Sequence, residues 1–267
     1  MTLSTPVPLS VFIITKDESD RIGDTIKTVI GWVDEVIVVD SGSCDDTVKI
    51  AKEAGARVIY NAFSGYGPQK KFAENRCKNQ WLLNIDADEP LSVEAQEEIK
   101  QLLTSGKIAD FDCWRILIRT IYPHEKKPAP WAFSYNQIRL YDSAKLRFSD
   151  SIVHDSVTPR EDTRVGQLEG VITHFSHRSM NFQVTKFNRY SEMQADDLIA
   201  RGKRLGQWRL ITEFPLAFLK AYFLRRHILY GLWGFCLSVS YAYSRFLRVA
   251  KFYEKELQKK ASKKREE

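Results

Sequence analysis

Residues 10–40 read SVFIITKDESDRIGDTIKTVIGWVDEVIVVD. Two short β-branched runs, 10–15 (SVFIIT) and 35–40 (EVIVVD), enclose a stretch, 21–31, in which Ile22, Ile26, Val29 and Ile30 recur at helical spacing. That is one strand–helix–strand unit, and the pattern repeats: 47–54 reads as helix, 57–60 as strand, 68–78 as helix and 81–85 as strand. Near-continuous apolar strands alternating with helices need cover on both faces, so the expected fold class is α/β with a Rossmann-like, mostly parallel central sheet. Open sheets of this kind bind ligands at the carboxyl ends of their strands. Those ends are polar here: Thr15, Lys16, Asp17 and Glu18 follow the first strand, Asp40, Ser41, Gly42 and Ser43 the second, and Asp86, Ala87, Asp88 and Glu89 the fourth. Three acidic clusters along one edge repel one another unless a cation or hydrogen-bond donors stand among them, which marks that edge as a ligand site.

Composition narrows the class. With 267 residues, 43% hydrophobic and 28% charged, the chain can bury a sizeable core, which excludes disorder for most of its length. Cys44, Cys77, Cys113 and Cys236 are widely spaced and form no CxxC pair, which excludes zinc-ribbon and dithiol redox motifs and suits a reducing cytoplasm. The first apolar run has no positive region before it and is cut short by Lys16, Asp17 and Glu18, so no secretory signal is expected. Gly65 and Gly67 set a turn but match neither a P-loop nor GxGxxG, which argues against a kinase or a dinucleotide enzyme. The net charge of +6 is local: residues 201–267 hold 16 Lys+Arg against 5 Asp+Glu, while residues 1–200 hold 24 against 29. The longest uncharged stretch, 228–244, has seventeen residues, short of the ~20 that span a bilayer.

Beyond a helix at 93–103 the pattern changes to longer strands, 112–121 and 137–141, joined by a loop that Pro123, Pro128 and Pro130 keep irregular. A helix at 181–201 follows. Asp86 and Asp88, directly after a buried strand, could aim two carboxylates at one point, as a hard divalent cation on phosphate oxygens requires. Taken singly, Asp-x-Asp is also an ordinary turn. In order, the chain reads SVFIITKDESDRI, EVIVVDSGSCDDTVKIAKEAGARVI, GYGPQKKFAENRC and WLLNIDADE, a succession that resembles the family 2 glycosyltransferases of the GT-A fold over roughly the first 105 residues.

The resemblance implies a nucleotide diphosphate sugar held at its base and ribose by Asp40 and Glu18, with Thr15, Asp17 and Ser41 beside them. It makes Asp86, Ala87 and Asp88 the metal-bridging motif, Asp88 touching Mg²⁺ or Mn²⁺. Where the family usually shows Tyr-Asn-Glu this chain has Lys16, Asp17 and Glu18, so a stacking tyrosine is missing. A departing nucleotide diphosphate gathers negative charge that a divalent metal, helped by Lys70 or Lys71, can neutralise. The plain alternative for both lysines is a solvated helix face. Transfer with inversion also needs a general base near the acceptor hydroxyl. Asp155, in SDSIVHDSVTP, resembles the family's base, against the alternative of a loop or capping residue, and His154 orients the acceptor or caps a strand. His174 is read as an acceptor hydrogen-bonding residue in preference to a metal ligand, and Trp131 as an aromatic wall for the acceptor sugar, with core packing as its alternative.

The segment ITHFSHRSMNFQVTKFNRYSEMQA, followed by FPLAFLKAYFLRR and GLWGF, is similar to bacterial lipopolysaccharide core glycosyltransferases that add glucose in β-1,4 linkage to an inner-core heptose. This similarity implies a UDP-glucose donor, a lipopolysaccharide core acceptor and work at the cytoplasmic face of the inner membrane. Relatives commonly show Leu-Asp-Gly where this chain has Leu229, Tyr230 and Gly231. Independently, Trp208, Phe214, Phe218, Tyr222, Phe223, Trp233 and Phe235 can enter a headgroup boundary while Arg209, Lys220, Arg225 and Arg226 meet an anionic membrane surface. Packing of these helices on the catalytic domain is the alternative. Nucleic acid is not an expected partner, since no nucleic-acid-binding module is recognisable. The expected division is a catalytic domain at 1–205, its nucleotide-sugar half at 1–105 and its acceptor half at 106–205, followed by a basic, aromatic helical extension at 206–267. Two other functions fit the same residues: the same fold acting on a polyprenyl phosphate or another glycan, and a membrane-associated protein that binds nucleotide sugar without transferring it.

Overall fold

The structure, a computed structural model, describes residues 5–122, 125, 127–129, 131–151, 156–175 and 178–266. Four strands, β1 (Val7–Thr15), β2 (Val33–Asp40), β3 (Arg57–Tyr60) and β4 (Trp81–Asn84), run parallel, connected through α1 (Ile22–Lys27), α2 (Thr47–Glu53) and α3 (Tyr66–Glu74). After β4 come α4 (Val93–Thr104) and the strands β5 (Cys113–Thr120), β6 (Ser134–Asp142) and β7 (Val165–His174). β1 is buried almost throughout because it lies between β2 and β4 with cover on both faces. Alternate residues serve opposite layers: Val11 and Ile13 join Ile22, Ile26, Ala95 and Ile99 in one core, and Phe12 joins Ala73 and Phe148 in the other.

Among the described residues the seven strands form one sheet in the order β3-β2-β1-β4-β6-β5-β7, with β6 antiparallel to both β4 and β5. The chain leaves β1 toward β2 and β3 on one side and returns to β4 on the other. The order therefore reverses between β1 and β4, where an open α/β sheet leaves a crevice at the carboxyl edge. Since β7 is parallel to β5, its last residue, His174, arrives at that same edge. The expected mostly parallel sheet is thus present, with β6 as its antiparallel member.

Sequence periodicity does not single out β7. Its burial alternates with period two, but Gly166 and Gly170 occupy buried positions that large apolar residues fill in other strands. Both glycines are required by close approach. A Cβ on Gly166 would come within 2.5 Å of the Trp114 ring, and one on Gly170 within 2.3 Å of the Ala95 backbone. The start of α4 is fastened there: the Ser92 hydroxyl accepts from the N–H groups of Ala95 (3.2 Å) and Val171 (3.3 Å), and Glu98 accepts from those of Glu169 and Gly170.

Residues 1–128 with 134–176 make one compact unit, and 129–133 with 177–267 make a second. The sequence draws its boundary at 205. In the structure the helix α5 (Met180–Ala200) belongs instead with α6 (Arg209–Leu219) and α7 (Gly231–Glu266), because its acidic face meets lysines of α7. Lys251 reaches Glu192 at 3.1 Å and Lys255 reaches Glu192 at 2.5 Å and Asp196 as well. A π-helical turn, Lys220–Leu224, and a 3₁₀ turn, His227–Tyr230, join α6 to α7. Of the aromatic residues the sequence offers to a membrane, Phe218 and Tyr222 stack on each other, Phe235 stands edge-on to both and Phe223 edge-on to Tyr222, while Trp208, Phe223 and Phe235 keep exposed surface. Among the described residues no helix is long and apolar enough to cross a membrane.

Replacing Gly170 by alanine should drive α4 off β7. We expect Gly170→Ala to lose about 1–3 kcal/mol of stability through overpacking, read as a lower urea midpoint, while Gly106→Ala, at a position with open space but left-handed φ of 75°, should cost less.

Candidate active site

At the carboxyl edge the loops after β1 and β2 fasten together. After β2, Asp40 turns back on its own loop: one carboxylate oxygen accepts from the N–H groups of Gly42 (2.8 Å) and Ser43 (3.0 Å), the other from the Ser43 hydroxyl (2.5 Å). Gly42 stands at φ 91°, a conformation glycine takes without strain. After β1, Asp17 takes φ 55°, which costs a non-glycine residue roughly 1–2 kcal/mol. Bonds across to the β2 loop offset it: Cys44 N–H donates to Asp17 Oδ1 (2.8 Å), and Asp17 N–H to Ser43 Oγ (2.9 Å). Glu18 N–H donates to Thr47 Oγ1 at 2.8 Å, and Ser41 N–H to the Thr15 carbonyl at 3.0 Å. Burial would raise Asp45, but hydrogen bonds from Thr47 and Ser19 hold it down at about 2, so it remains an acceptor that pins the two loops. Thr15 Oγ1 is buried at the floor of this junction and has no hydrogen-bond partner among the described residues.

Beside that junction lies a charged network. Lys70, on α3, is fully buried, with Nζ 3.0 Å from Asp86 and donating to Asn84 at 2.9 Å. Arg139 of β6 donates to Asn84 (2.9 Å) and to the buried Glu89 (2.7 Å), and pairs with Asp86 at 3.3 Å. Burial pushes Asp86 up, but Lys70 and then Arg139 outweigh it and hold the carboxyl well below its usual range. For Glu89 burial prevails over Arg139, and the neighbouring Asp86 adds to the upward shift. Ala87 is fixed by its carbonyl, which accepts from the Thr25 hydroxyl at 2.8 Å.

Asp88 completes the edge. Its Oδ2 lies 3.4 Å from Arg21 and 3.4 Å from His174 Nε2, while His174 Nδ1 is 3.0 Å from the Tyr135 hydroxyl. Burial lowers the His174 pKa, but Asp88, then Glu89 and Asp86, outweigh it and the net shift is upward. Arg21 also reaches Glu18 at 3.6 Å and the Phe175 carbonyl, tying the loop after β1 to the end of β7.

Of the residues the sequence selects, the structure brings Thr15, Asp17, Glu18, Asp40, Ser41, Lys70, Asp86, Ala87, Asp88 and His174 to one edge. It separates the two lysines: Lys71 pairs with the exposed Asp150 at 2.7 Å, and only Lys70 turns into the network. His174 stands beside Asp88, a position for a metal ligand as much as for an acceptor contact. Trp131 falls in the second unit. His154 and Asp155 lie outside the described residues; just before them, the Ser151 carbonyl accepts from Gly67 N–H at 3.0 Å, and a Cβ on Gly67 would come within 2.3 Å of the Ser149 carbonyl. Sequence reasoning missed Arg21, Tyr135 and Arg139. Arg139 carries a signal, a single charge inside the strand QIRLY, where a buried arginine needs carboxylate partners.

Does this edge suit a divalent cation? Among the described residues no three His, Cys, Asp or Glu side chains form a ready-made cage. Magnesium-like ions bind nucleotides through one or two carboxylates plus phosphate oxygens, so a cage is not required. Asp88 and His174 offer an oxygen and a nitrogen donor side by side, and the field that draws a proton onto His174 equally favours a metal cation. The residues fit.

The family model for glycosyl transferase family 2 matches residues 10–159. An uncharacterized glycosyltransferase of Rickettsia prowazekii is 44% identical over 250 residues, covering 91% of this chain and 86% of that one. The lipopolysaccharide core biosynthesis glycosyltransferase LpsC of Rhizobium meliloti is 32% identical over 256 residues, covering 93% of each chain. Among solved structures, glucosyl-3-phosphoglycerate synthase of Mycobacterium tuberculosis, crystallised with Mn²⁺, UDP and glucosyl-3-phosphoglycerate, is similar with a TM-score of 0.45 at 18% identity, covering 75% of this chain and 82% of that one. The chain belongs to glycosyl transferase family 2 and has the α/β, GT-A class of fold that its motifs imply.

Arg139→Met should strand Glu89 and Asp86 without their shared guanidinium and cost about 3–5 kcal/mol in urea unfolding. Adding Glu89→Gln should restore much of that loss, since the pair's damage is the uncompensated buried charge.

Proposed function

We propose that this glycosyltransferase is inverting and metal-dependent, and that it moves glucose from UDP-glucose onto the inner-core heptose of lipopolysaccharide at the cytoplasmic face of the inner membrane. The observation that carries this reading is Asp88, set between His174 and Arg21 beside the Lys70–Asp86 pair at the crevice between β1 and β4. Relatedness to a lipopolysaccharide core enzyme over 93% of both chains supports the acceptor. Exposed apolar residues of the second unit, among them Ile211, Leu219 and Leu232, support work at a membrane surface.

On this reading the nucleoside lies against the fastened loops, where the Thr15 hydroxyl, without a hydrogen-bond partner among the described residues, offers a hydrogen bond and Asp17, Glu18 and Ser41 supply polar groups. Asp40 shapes the loop after β2 through both carboxylate oxygens and, because Oδ1 accepts a single bond there, keeps acceptor capacity for the base or ribose. Asp88 and His174 would hold the cation, with Asp86 beside them already paired to Lys70 and Arg139. When bound, Mg²⁺ or Mn²⁺ supplies positive charge where the leaving diphosphate becomes more negative. Lys70, paired with Asp86 at 3.0 Å, adds to the same field. Asp155 takes the proton of the acceptor hydroxyl as that oxygen bonds to the anomeric carbon and the bond to the β-phosphate oxygen breaks on the opposite face.

Asp88→Ala should lower UDP release at least ~10²-fold while leaving the thermal midpoint near wild type, because Arg21 keeps Glu18 and His174 keeps Tyr135. Undiminished turnover would contradict the assignment of Asp88. His174→Ala should raise the Mn²⁺ concentration needed for half-maximal activity; if His174 instead only contacts the acceptor, the acceptor KM moves and the metal requirement does not.

A further inference from the structure

The second unit carries an electrostatic imbalance that the transfer chemistry does not use. Glu213, on the buried face of α6, is 9% exposed and is met by three guanidinium groups. Arg209, one turn earlier, donates to it through Nε (3.1 Å) and NH2 (2.6 Å), Arg248 of α7 donates at 2.7 Å, and Arg245 lies at 3.1 Å. Among the described residues none of these arginines has a second carboxylate, so three positive charges share one negative charge. Arg248 is 13% exposed, and its Nε is buried without a hydrogen-bond partner among the described residues. Burial and the nearby Arg245 both weaken its hold on its proton, the mark of a guanidinium in an under-compensated place.

We infer that Arg209, Arg245 and Arg248 form a binding site for a phosphate ester, which joins Glu213 as the second anion of the cluster. Charge and shape both point to phosphate. A phosphate carries up to two negative charges, matching the excess, and its oxygens accept the paired N–H groups of a guanidinium fork better than a halide or a single carboxylate does. The same helix bears on the source. α6 turns its carboxylate inward and exposes Ile211, Leu216 and Leu219, the reverse of a helix bathed in water on its outer side. A phosphate ester brought to this unit can therefore be a lipid headgroup, or it can be a soluble sugar phosphate of the same chemistry. The inference stands independently of which donor and acceptor the first unit uses.

Thermal unfolding of the full chain in phosphate-free buffer, compared with inorganic phosphate at matched ionic strength, tests the site. Wild type should gain roughly 2–4 °C at saturating phosphate. Arg245→Gln should lose at least half of that gain while unfolding no earlier than wild type in phosphate-free buffer, because removing one of three cations relieves repulsion. Glu213→Gln should unfold earlier without phosphate and gain more from it. No phosphate effect on wild type, or the same gain in Arg245→Gln, would overturn the inference; the latter would place the bound phosphate elsewhere, the donor crevice included. Earlier unfolding of Arg245→Gln in phosphate-free buffer with its phosphate gain intact would make the cluster a purely structural clamp.

The source is read by co-sedimentation with phosphatidylcholine vesicles containing phosphatidylglycerol. A several-fold weaker association of Arg245→Gln with those vesicles, alongside its lost phosphate gain, assigns the site to a lipid headgroup. An unchanged association with the phosphate gain still lost assigns it to a soluble phosphate ester.

Discussion

A lysine shut away from water needs acceptors and a carboxylate beside it, and much of the first unit is arranged to supply them to Lys70. Asp86 and Asn84 come to it from the end of β4, and Arg139 from β6 holds the same two groups from the other side. Glu89, buried behind them, answers Arg139 and receives the Asp86 N–H at 3.0 Å. Removing one member leaves another uncompensated, so the turn that carries Asp86, Ala87 and Asp88 is fixed before any ligand arrives. Preorganised charge of this kind is what a transferase needs where a leaving group gathers negative charge.

Much of this was legible in the sequence, and the limits have physical causes. The β-branched runs and the polar residues just after them mark β1 through β4 and the polar carboxyl edge, because buried parallel strands leave a strong apolar signal and their ends a strong polar one. β7 escaped because Gly166 and Gly170 stand where Trp114 and α4 come too close for a side chain, which removes the apolar period that would reveal a strand. Lys70 and Lys71 are neighbours in sequence, but about 100° of helical rotation sends one into the core and the other to Asp150. His174 lies 86 positions after Asp88, and only the strand order makes them adjacent. The chain divides earlier than its composition suggests because α5, mixed in character along its length, turns Glu192 and Asp196 toward lysines of α7.

The second unit inverts the usual pattern. Its basic charge, visible in the sequence as a surplus after residue 200, is partly drawn inward onto Glu213, while aliphatic residues of α6 and of the turns that follow it face outward. A helical unit built this way suits a surface that is itself apolar beneath a layer of phosphate. On the proposed function the two units divide the work, the carboxyl edge of the first holding the activated donor and the second meeting the phase in which a lipid-borne acceptor resides.

The most direct measurement is UDP release from a panel of UDP-sugars, with Mn²⁺ or with EDTA, in the presence and absence of heptose-containing lipopolysaccharide from a core-truncated strain. The account predicts release from UDP-glucose that requires both the metal and that acceptor. Release that persists undiminished in EDTA would contradict the metal-assisted site, and UDP binding without release under any donor and acceptor would contradict the proposed transfer itself.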